Sequence, residues 1–256
     1  MRALIRKIGD FLPQGYGDAG RQLGLFVLAE LTYEAVRGIS EGPNAVVQAR
    51  ANGQGVIDLE RSLHTFFEPN LQSVFIHHRW IIDFANYMYM NSHFVVTTAF
   101  LVWLYLFRNS SFYFVRNMFM VAMGLAVIGY ALLPTMPPRL FPHEGFVDTI
   151  TDYAQVNHDS GLVKLFVNPY AAIPSMHVAF STMIGVTGAL IARHKLTKAI
   201  WLAYPVLVFW VVIVTANHFW IDGAAGLLVA TLSALAARQV LARARPGVWS
   251  FRPATT

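Results

Sequence analysis

Two uncharged apolar runs, residues 199–214 and 223–237, are separated only by Thr215-Ala216-Asn217-His218-Phe219-Trp220-Ile221-Asp222. An imidazole and a carboxylate therefore stand at the edge of a bilayer-sized apolar block, where ionisable groups are costly and are usually kept for function. A helix starting near Phe219 puts His218 and Asp222 one turn apart on one face. The carboxylate can then accept a hydrogen bond from one ring nitrogen and leave the other free to react. A helix with a merely polar first turn explains this stretch equally well when it is taken alone.

Composition sets the surroundings. Of the 256 residues, 55% are hydrophobic and 13% charged, against about 25% charged in soluble chains. That apolar excess cannot all be core, so the chain reads as an integral membrane protein built as one bundle. The single membrane domain covers 1–256, with cytoplasmic tails at 1–20 and 239–256. The net charge of +5 does not point to nucleic acid, because the basic residues cluster at the ends of apolar runs, where they orient a membrane protein. Without cysteine there is no disulfide, thiolate metal site or thiol nucleophile. Arg2, Arg6 and Lys7 are not followed by an apolar core with a small-residue cleavage site, so the N-terminus reads as retained.

The expected fold is all-α: an integral membrane bundle of six transmembrane helices with an amphipathic interfacial helix between spans 1 and 2. Span 1, residues 22–36, is the weakest because it carries Glu30 and Glu34. Residues 38–56, rich in Gly, Asn and Gln, read as a loop. Ile57, Leu59, Leu63, Phe66 and Phe67 against Asp58, Glu60, Arg61 and His64 predict the interfacial helix, stopped by Pro69. Residues 71–85 carry His77, His78, Arg79 and Asp83 and do not read as a span. Further spans are expected at 86–107, 117–133 and 178–192, then on either side of the His218 stretch. Pro134-Thr135-Met136-Pro137-Pro138-Arg139-Leu140 cannot continue a helix. The long polar segment 141–172 reads as a functional loop or a lid.

Six spans put both termini on one side, and that side holds 13 of the 19 Lys and Arg residues. The positive-inside rule makes it cytoplasmic. Arg139, Ser175, His177, His218 and Asp222 then gather at the opposite, extracytoplasmic edge of a cell membrane. Their chemistry is complementary. Arginine offers a planar fork for phosphate oxygens, and a helix beginning at Ser175-Met176-His177 adds amides and a positive dipole end. Two histidines can divide the labour, one attacking phosphorus and one protonating the leaving oxygen.

In this order, an arginine motif, Pro174-Ser175-Met176-His177 and His218 to Asp222 resemble the type 2 phosphatidic acid phosphatase superfamily. Within it the motifs look most like the inositol phosphorylceramide synthase (inositolphosphotransferase) branch, itself similar to sphingomyelin synthases. The resemblance covers roughly residues 85–240 and implies that the catalytic core lies there. It implies a metal-independent phosphohistidine mechanism in which His218 is the nucleophile, Asp222 its partner, His177 the leaving-group acid, and Arg139 and Ser175 bind phosphate. Three departures accompany it. The phosphatase pattern has a lysine ahead of the first-motif arginine, where this chain reads Ala131-Leu132-Leu133. It has Ser-Arg ahead of the third-motif histidine, where Val211-Val212 stands, and glycine after the second-motif serine, where Met176 stands. Loss of two phosphate-binding cations favours a transferase over a plain phosphatase.

Around this core, Asn217, Tyr170 and His93 are expected to line the substrate site. Asn91 and His93 read equally well as a satisfied buried pair. Glu60, His64 and Glu68, one turn apart, read as a solvated helix face ahead of a metal or headgroup site. No cofactor or metal is expected. The expected partners are a membrane lipid phosphate or phospholipid and an alcohol or lipid acceptor, with no nucleic acid. Water as acceptor makes the protein a lipid phosphate phosphatase of the phosphatidic acid or polyprenyl phosphate type. A binding or scaffold protein with a dead site is the contrasting class, and intact His177, His218 and Asp222 argue against it.

Overall fold

The computed structural model describes residues 11–39, 45–154 and 171–252. Among them every regular element is helical, and the only bridge is a parallel one between Thr135 and Ala171. In chain order the helices are α1 (Gly15–Ile39), α2 (Ala45–Ser62), α3 (Glu68–Ile76), α4 (Arg79–Asn91), α5 (Thr97–Phe107), α6 (Asn109–Leu132), the short α7 (Thr149–Ala154), α8 (Met176–Ile191), α9 (Lys195–Val214) and α10 (Trp220–Ala236). A π-helical turn, Ser92–Val96, joins α4 to α5.

Three of the described helices are long and apolar enough to cross a membrane: Asn109–Leu132, Lys195–Val214 and the run Trp220–Ala244 that begins as α10. The α4–α5 pair makes a fourth if its 50° bend is one broken span. By length and composition the described residues therefore supply three or four of the six expected spans. α1 is long, at 25 residues, but carries Asp18, Arg21, Glu30, Glu34 and Arg37. α8 is apolar but has 16 residues, about 24 Å of helix against roughly 30 Å of hydrocarbon.

The largest departure lies before the bundle. Residues 45–56, expected as loop, are the first two-thirds of α2, and Ala49, Gly53, Val56, Ile57 and Glu60 form its buried stripe. That spacing is helical, and packing overrides the poor propensity of the Gly and Asn residues around it. The stripe docks on residues 134–141 and does not lie free in the membrane interface: Asn52 donates to the Pro134 carbonyl at 2.7 Å and Met136 N to the Ala49 carbonyl at 2.9 Å. Ile57 and Val56 join Phe141, Phe146 and Phe219 in a small core beneath the His218 stretch. Pro69 does not stop this helix. α2 ends at Ser62, His64 turns through a left-handed backbone (φ 56°), and Pro69 sits in the first turn of α3, where its missing N–H is harmless. Residues 71–85 form parts of α3 and α4.

The main core is made by α6, α8 and α10 through Phe119, Ala122, Ala126, Met183, Ile184, Val229 and Ala230. α9 runs back along α8 at close range: a Cβ on Gly188 would lie 2.3 Å from the Trp201 ring. Antiparallel packing of this kind brings the end of α9 beside the start of α8, and α10 starts there as well. α6 stops at the same level because Leu133 precedes Pro134 and leaves the helical region. Four helix ends thus surround one spot.

Candidate active site

Direct bonds tie those ends together. Ser175 N donates to the Asp222 carbonyl at 3.0 Å and Arg139 N to the Ala216 carbonyl at 2.8 Å. Tyr130 of α6 donates through its hydroxyl to the Pro174 carbonyl at 3.0 Å. Between α9 and α10 the chain reverses through Ala216, a non-glycine residue with φ 52°, fully enclosed. Such a backbone costs on the order of 1 kcal/mol and survives where surrounding structure over-determines it.

His218 and Asp222 lie inside this turn, 5% and 0% exposed. His218 Nδ1 lies 3.0 Å from the Ala172 carbonyl and 3.3 Å from Asp222 Oδ2. Both neighbours only accept when the carboxylate is ionised, so Nδ1 carries the proton and Nε2 holds the lone pair. Asp222 Oδ2 also accepts from Phe219 N at 2.9 Å, which closes the first turn of α10 around the carboxylate. The bond that aligns His218 and the bond that caps its helix therefore share one oxygen.

His177 enters from the first turn of α8. Its ring centroid is 5.7 Å from that of His218. Tyr89 fixes it from the far side: the rings stack at 4.4 Å and 18°, and His177 Nε2 reaches the Tyr89 carbonyl at 3.2 Å. Ser175 is the N-cap of α8, its Oγ accepting from Val178 N at 3.4 Å. The start of α8 turns the positive end of its helix dipole toward His218.

Arg139 follows the proline-rich break and is 7% exposed. Its Nε donates to Asn217 Oδ1 at 3.1 Å and its Nη1 to Asp148 Oδ2 at 3.0 Å. Asn217 in turn donates to Thr215 Oγ1 at 2.8 Å. Both ends of that amide are engaged inside the protein, so Asn217 anchors the guanidinium one residue away from His218. Asp148 is held from two helices. Gln72 of α3 bonds both polar groups of Val147, and Asn86 of α4 donates to the Thr149 carbonyl at 2.9 Å.

A family model for the PAP2 superfamily matches residues 54–236. The chain belongs to the PAP2 superfamily. Membership supports an enzyme of lipid phosphatase or phosphotransferase type, embedded in a membrane by several apolar helices and acting on lipid phosphates. No curated protein and no solved structure matches the chain. The PAP2 match begins at residue 54, inside α2 and well before the core expected from about residue 85, and so takes in the α2–α3 corner.

Of the residues singled out in the sequence, His177, His218, Asp222, Ser175, Asn217 and Arg139 converge at this end of the PAP2 bundle. Tyr170 lies outside the described residues, as does the side chain of His93. Asn91 donates to the carbonyl of Tyr87 in its own helix at 2.8 Å. The expected solvated face of Glu60, His64 and Glu68 is not one. His64 is exposed, but Glu60 and Glu68 are both 0% exposed and meet across the α2–α3 corner. Sequence reasoning also passed over Tyr89 and Asp148. Tyr87, two residues earlier on the same helix, is 66% exposed, and nothing in the sequence separates the two tyrosines. Asp148 falls within the polar segment 141–172, where several acids stand in no recognisable spacing.

Proposed function

We propose that this PAP2 protein transfers a phosphoryl or phospho-headgroup from a membrane lipid through a phosphohistidine on His218, at the extracytoplasmic face. The observation that carries the reading is the placement of His218 Nδ1 against the Ala172 carbonyl and the Asp222 carboxylate, which assigns the proton to Nδ1 and leaves Nε2 as a nucleophile beside a second imidazole. His218 Nε2 attacks phosphorus and the bond from phosphorus to the leaving oxygen breaks. His177 gives that oxygen a proton, the leaving oxygen replacing the Tyr89 carbonyl as its partner. An acceptor hydroxyl then loses its proton to His177 and attacks phosphorus, and the N–P bond breaks. Arg139 and the first amides of α8 hold the non-bridging oxygens. No step needs a metal ion.

An alcohol acceptor gives an inositolphosphotransferase-like synthase; water gives a lipid phosphate phosphatase. Val211 and Val212, both fully buried, favour the transferase, because apolar core fills the place where the phosphatase pattern carries an arginine. Basic residues concentrated at the other edge support the extracytoplasmic assignment. The test is turnover of a labelled lipid panel by purified protein in EDTA, with and without inositol and lipid alcohols, beside His218→Ala. Labelled product that depends on the added alcohol, without free phosphate, is the expected result. Activity abolished by the chelator, or retained in His218→Ala, contradicts the reading.

A further inference from the structure

We propose that Glu60 and Glu68 are positioning residues of the His218 site, a buried carboxyl pair that holds one proton and fixes the start of α10. This rests on the functional reading above. Three successive amides open α10, and each is taken by a different carboxylate. Phe219 N donates to Asp222 at 2.9 Å, Trp220 N to Glu68 Oε1 at 2.9 Å and Ile221 N to Glu60 Oε1 at 3.3 Å. The Trp220 indole adds a bond to Thr65 Oγ1 at 3.2 Å. The α2–α3 corner therefore grips the first turn of the helix that carries Asp222, directly after His218.

The pair cannot hold two full charges cheaply, since both side chains are entirely enclosed. Geometry says which one keeps the proton. Glu68 accepts an N–H on each oxygen, the second from Phe67 at 2.9 Å, so both of its oxygens are already engaged as acceptors. Glu60 accepts one N–H, its buried Oε2 meets no donor among the described residues, and the Glu68 carboxyl is its facing side-chain partner. A proton on Oε2 makes that contact a hydrogen bond. The ionisable groups facing Glu60 are Glu68 on α3 and Asp222 on α10. Arg61, its neighbour on α2, pairs with Glu144 instead. Burial first, and the facing Glu68 carboxylate second, push the Glu60 carboxyl up to about 9. Above that, three negative charges crowd the first turn of α10 and Asp222 is displaced from His218.

Glutamine separates the two roles. In Glu60→Gln the amide oxygen still accepts from Ile221 and the NH2 takes the place of the acid O–H. In Glu68→Gln the NH2 must face a backbone N–H. The probe is orthovanadate, a phosphate analogue, bound by the full-length protein in detergent and read from the thermal midpoint. Near neutral pH, Glu60→Gln is expected to bind as the wild type does, and Glu68→Gln roughly tenfold more weakly, as one unsatisfied buried N–H implies. Above the Glu60 transition the wild type is expected to lose affinity and Glu60→Gln to keep it. The infrared C=O band of a protonated carboxyl should weaken in Glu60→Gln. An unchanged band overturns the shared proton. Wild-type affinity in Glu68→Gln, or the same alkaline loss in Glu60→Gln, overturns the positioning role. Wild-type vanadate binding by His218→Ala sinks the catalytic reading separately, leaving the pair to be judged by the infrared band and the pH dependence of the midpoint.

Discussion

The backbone N–H of Ser175 donates to the carbonyl of Asp222 at 3.0 Å, so the start of α8 and the first turn of α10 move as one piece. One turn further along α10, Gly226 faces the same residue, and a Cβ there would lie 2.3 Å from the Ser175 carbonyl oxygen. Both motifs of the site thus depend on a bare backbone contact.

Gly226→Ala is expected to part the two helix starts. The clash is with backbone, which cannot rotate away, so a loss of about 1–3 kcal/mol or more in stability follows. Turnover should fall with it. Gly124→Ala is the control, because nothing lies within 4 Å of its added Cβ. Thermal midpoints of the two variants measured together decide whether the effect is local.

Asp148 occupies one edge of the Arg139 fork. A substrate phosphate has to compete with that carboxylate. Asp148→Asn keeps an acceptor for the amides of Ile150 and Thr151 that Asp148 now caps while removing the competing charge. Inhibition by inorganic phosphate should strengthen roughly three- to tenfold, about 1 kcal/mol in binding, with little change in the thermal midpoint.

Tyr89 holds His177 by its ring and its backbone carbonyl. Tyr89→Phe keeps both contacts and should lower turnover far less than Tyr89→Ala. Tyr89→Ala removes a stacked pair of about 0.5–1.5 kcal/mol and should lower kcat up to roughly tenfold with KM little altered. Steady-state kinetics of the two variants check this.

His177, His218, Asp222 and Arg139 are legible in the sequence because each is a polar residue where an apolar run stops, and a bilayer permits few such residues without cause. The core helices are legible for the same reason. What supports the site is not legible. Glu60 and Glu68 fall at the spacing of one continuous helix, and only the turn at His64 swings them together. Their partners, the amides of Trp220 and Ile221, lie more than 150 residues away and leave no mark in side-chain pattern. Gln72 and Asn86 are single amides in otherwise ordinary helices, and their value comes from holding residues 147–149. The span count is obscured because α8 is short and α1 is charged, so hydropathy alone does not weigh them equally.

Folding stability should depend on pH through Glu60. Its carboxyl titrates at about 9 in the folded chain against an ordinary 4.5, so the native state binds more protons between these values and stability falls as pH rises through that window. Below the window the contribution is fully present; above it the loss is complete. In Glu60→Gln the slope between pH 5 and 9 should be smaller by the contribution of one group, measured by denaturant unfolding at a series of pH values.

Asp222→Asn should leave the fold intact while misaligning the His218 tautomer, at a cost of about 10⁴ in rate by analogy with other carboxylate-oriented histidines. Far smaller loss would mean that the Ala172 carbonyl alone suffices to orient the ring.

The decisive measurement is to quench purified protein during turnover of a phosphorus-labelled lipid and map the covalent label by peptide sequencing. The account predicts an acid-labile, base-stable phosphoramidate on His218, absent in His218→Ala and accumulating when His177 is replaced by glutamine and a good leaving group is supplied. Label on another residue, or steady turnover with no protein-bound label under conditions that trap phosphohistidine, would contradict it.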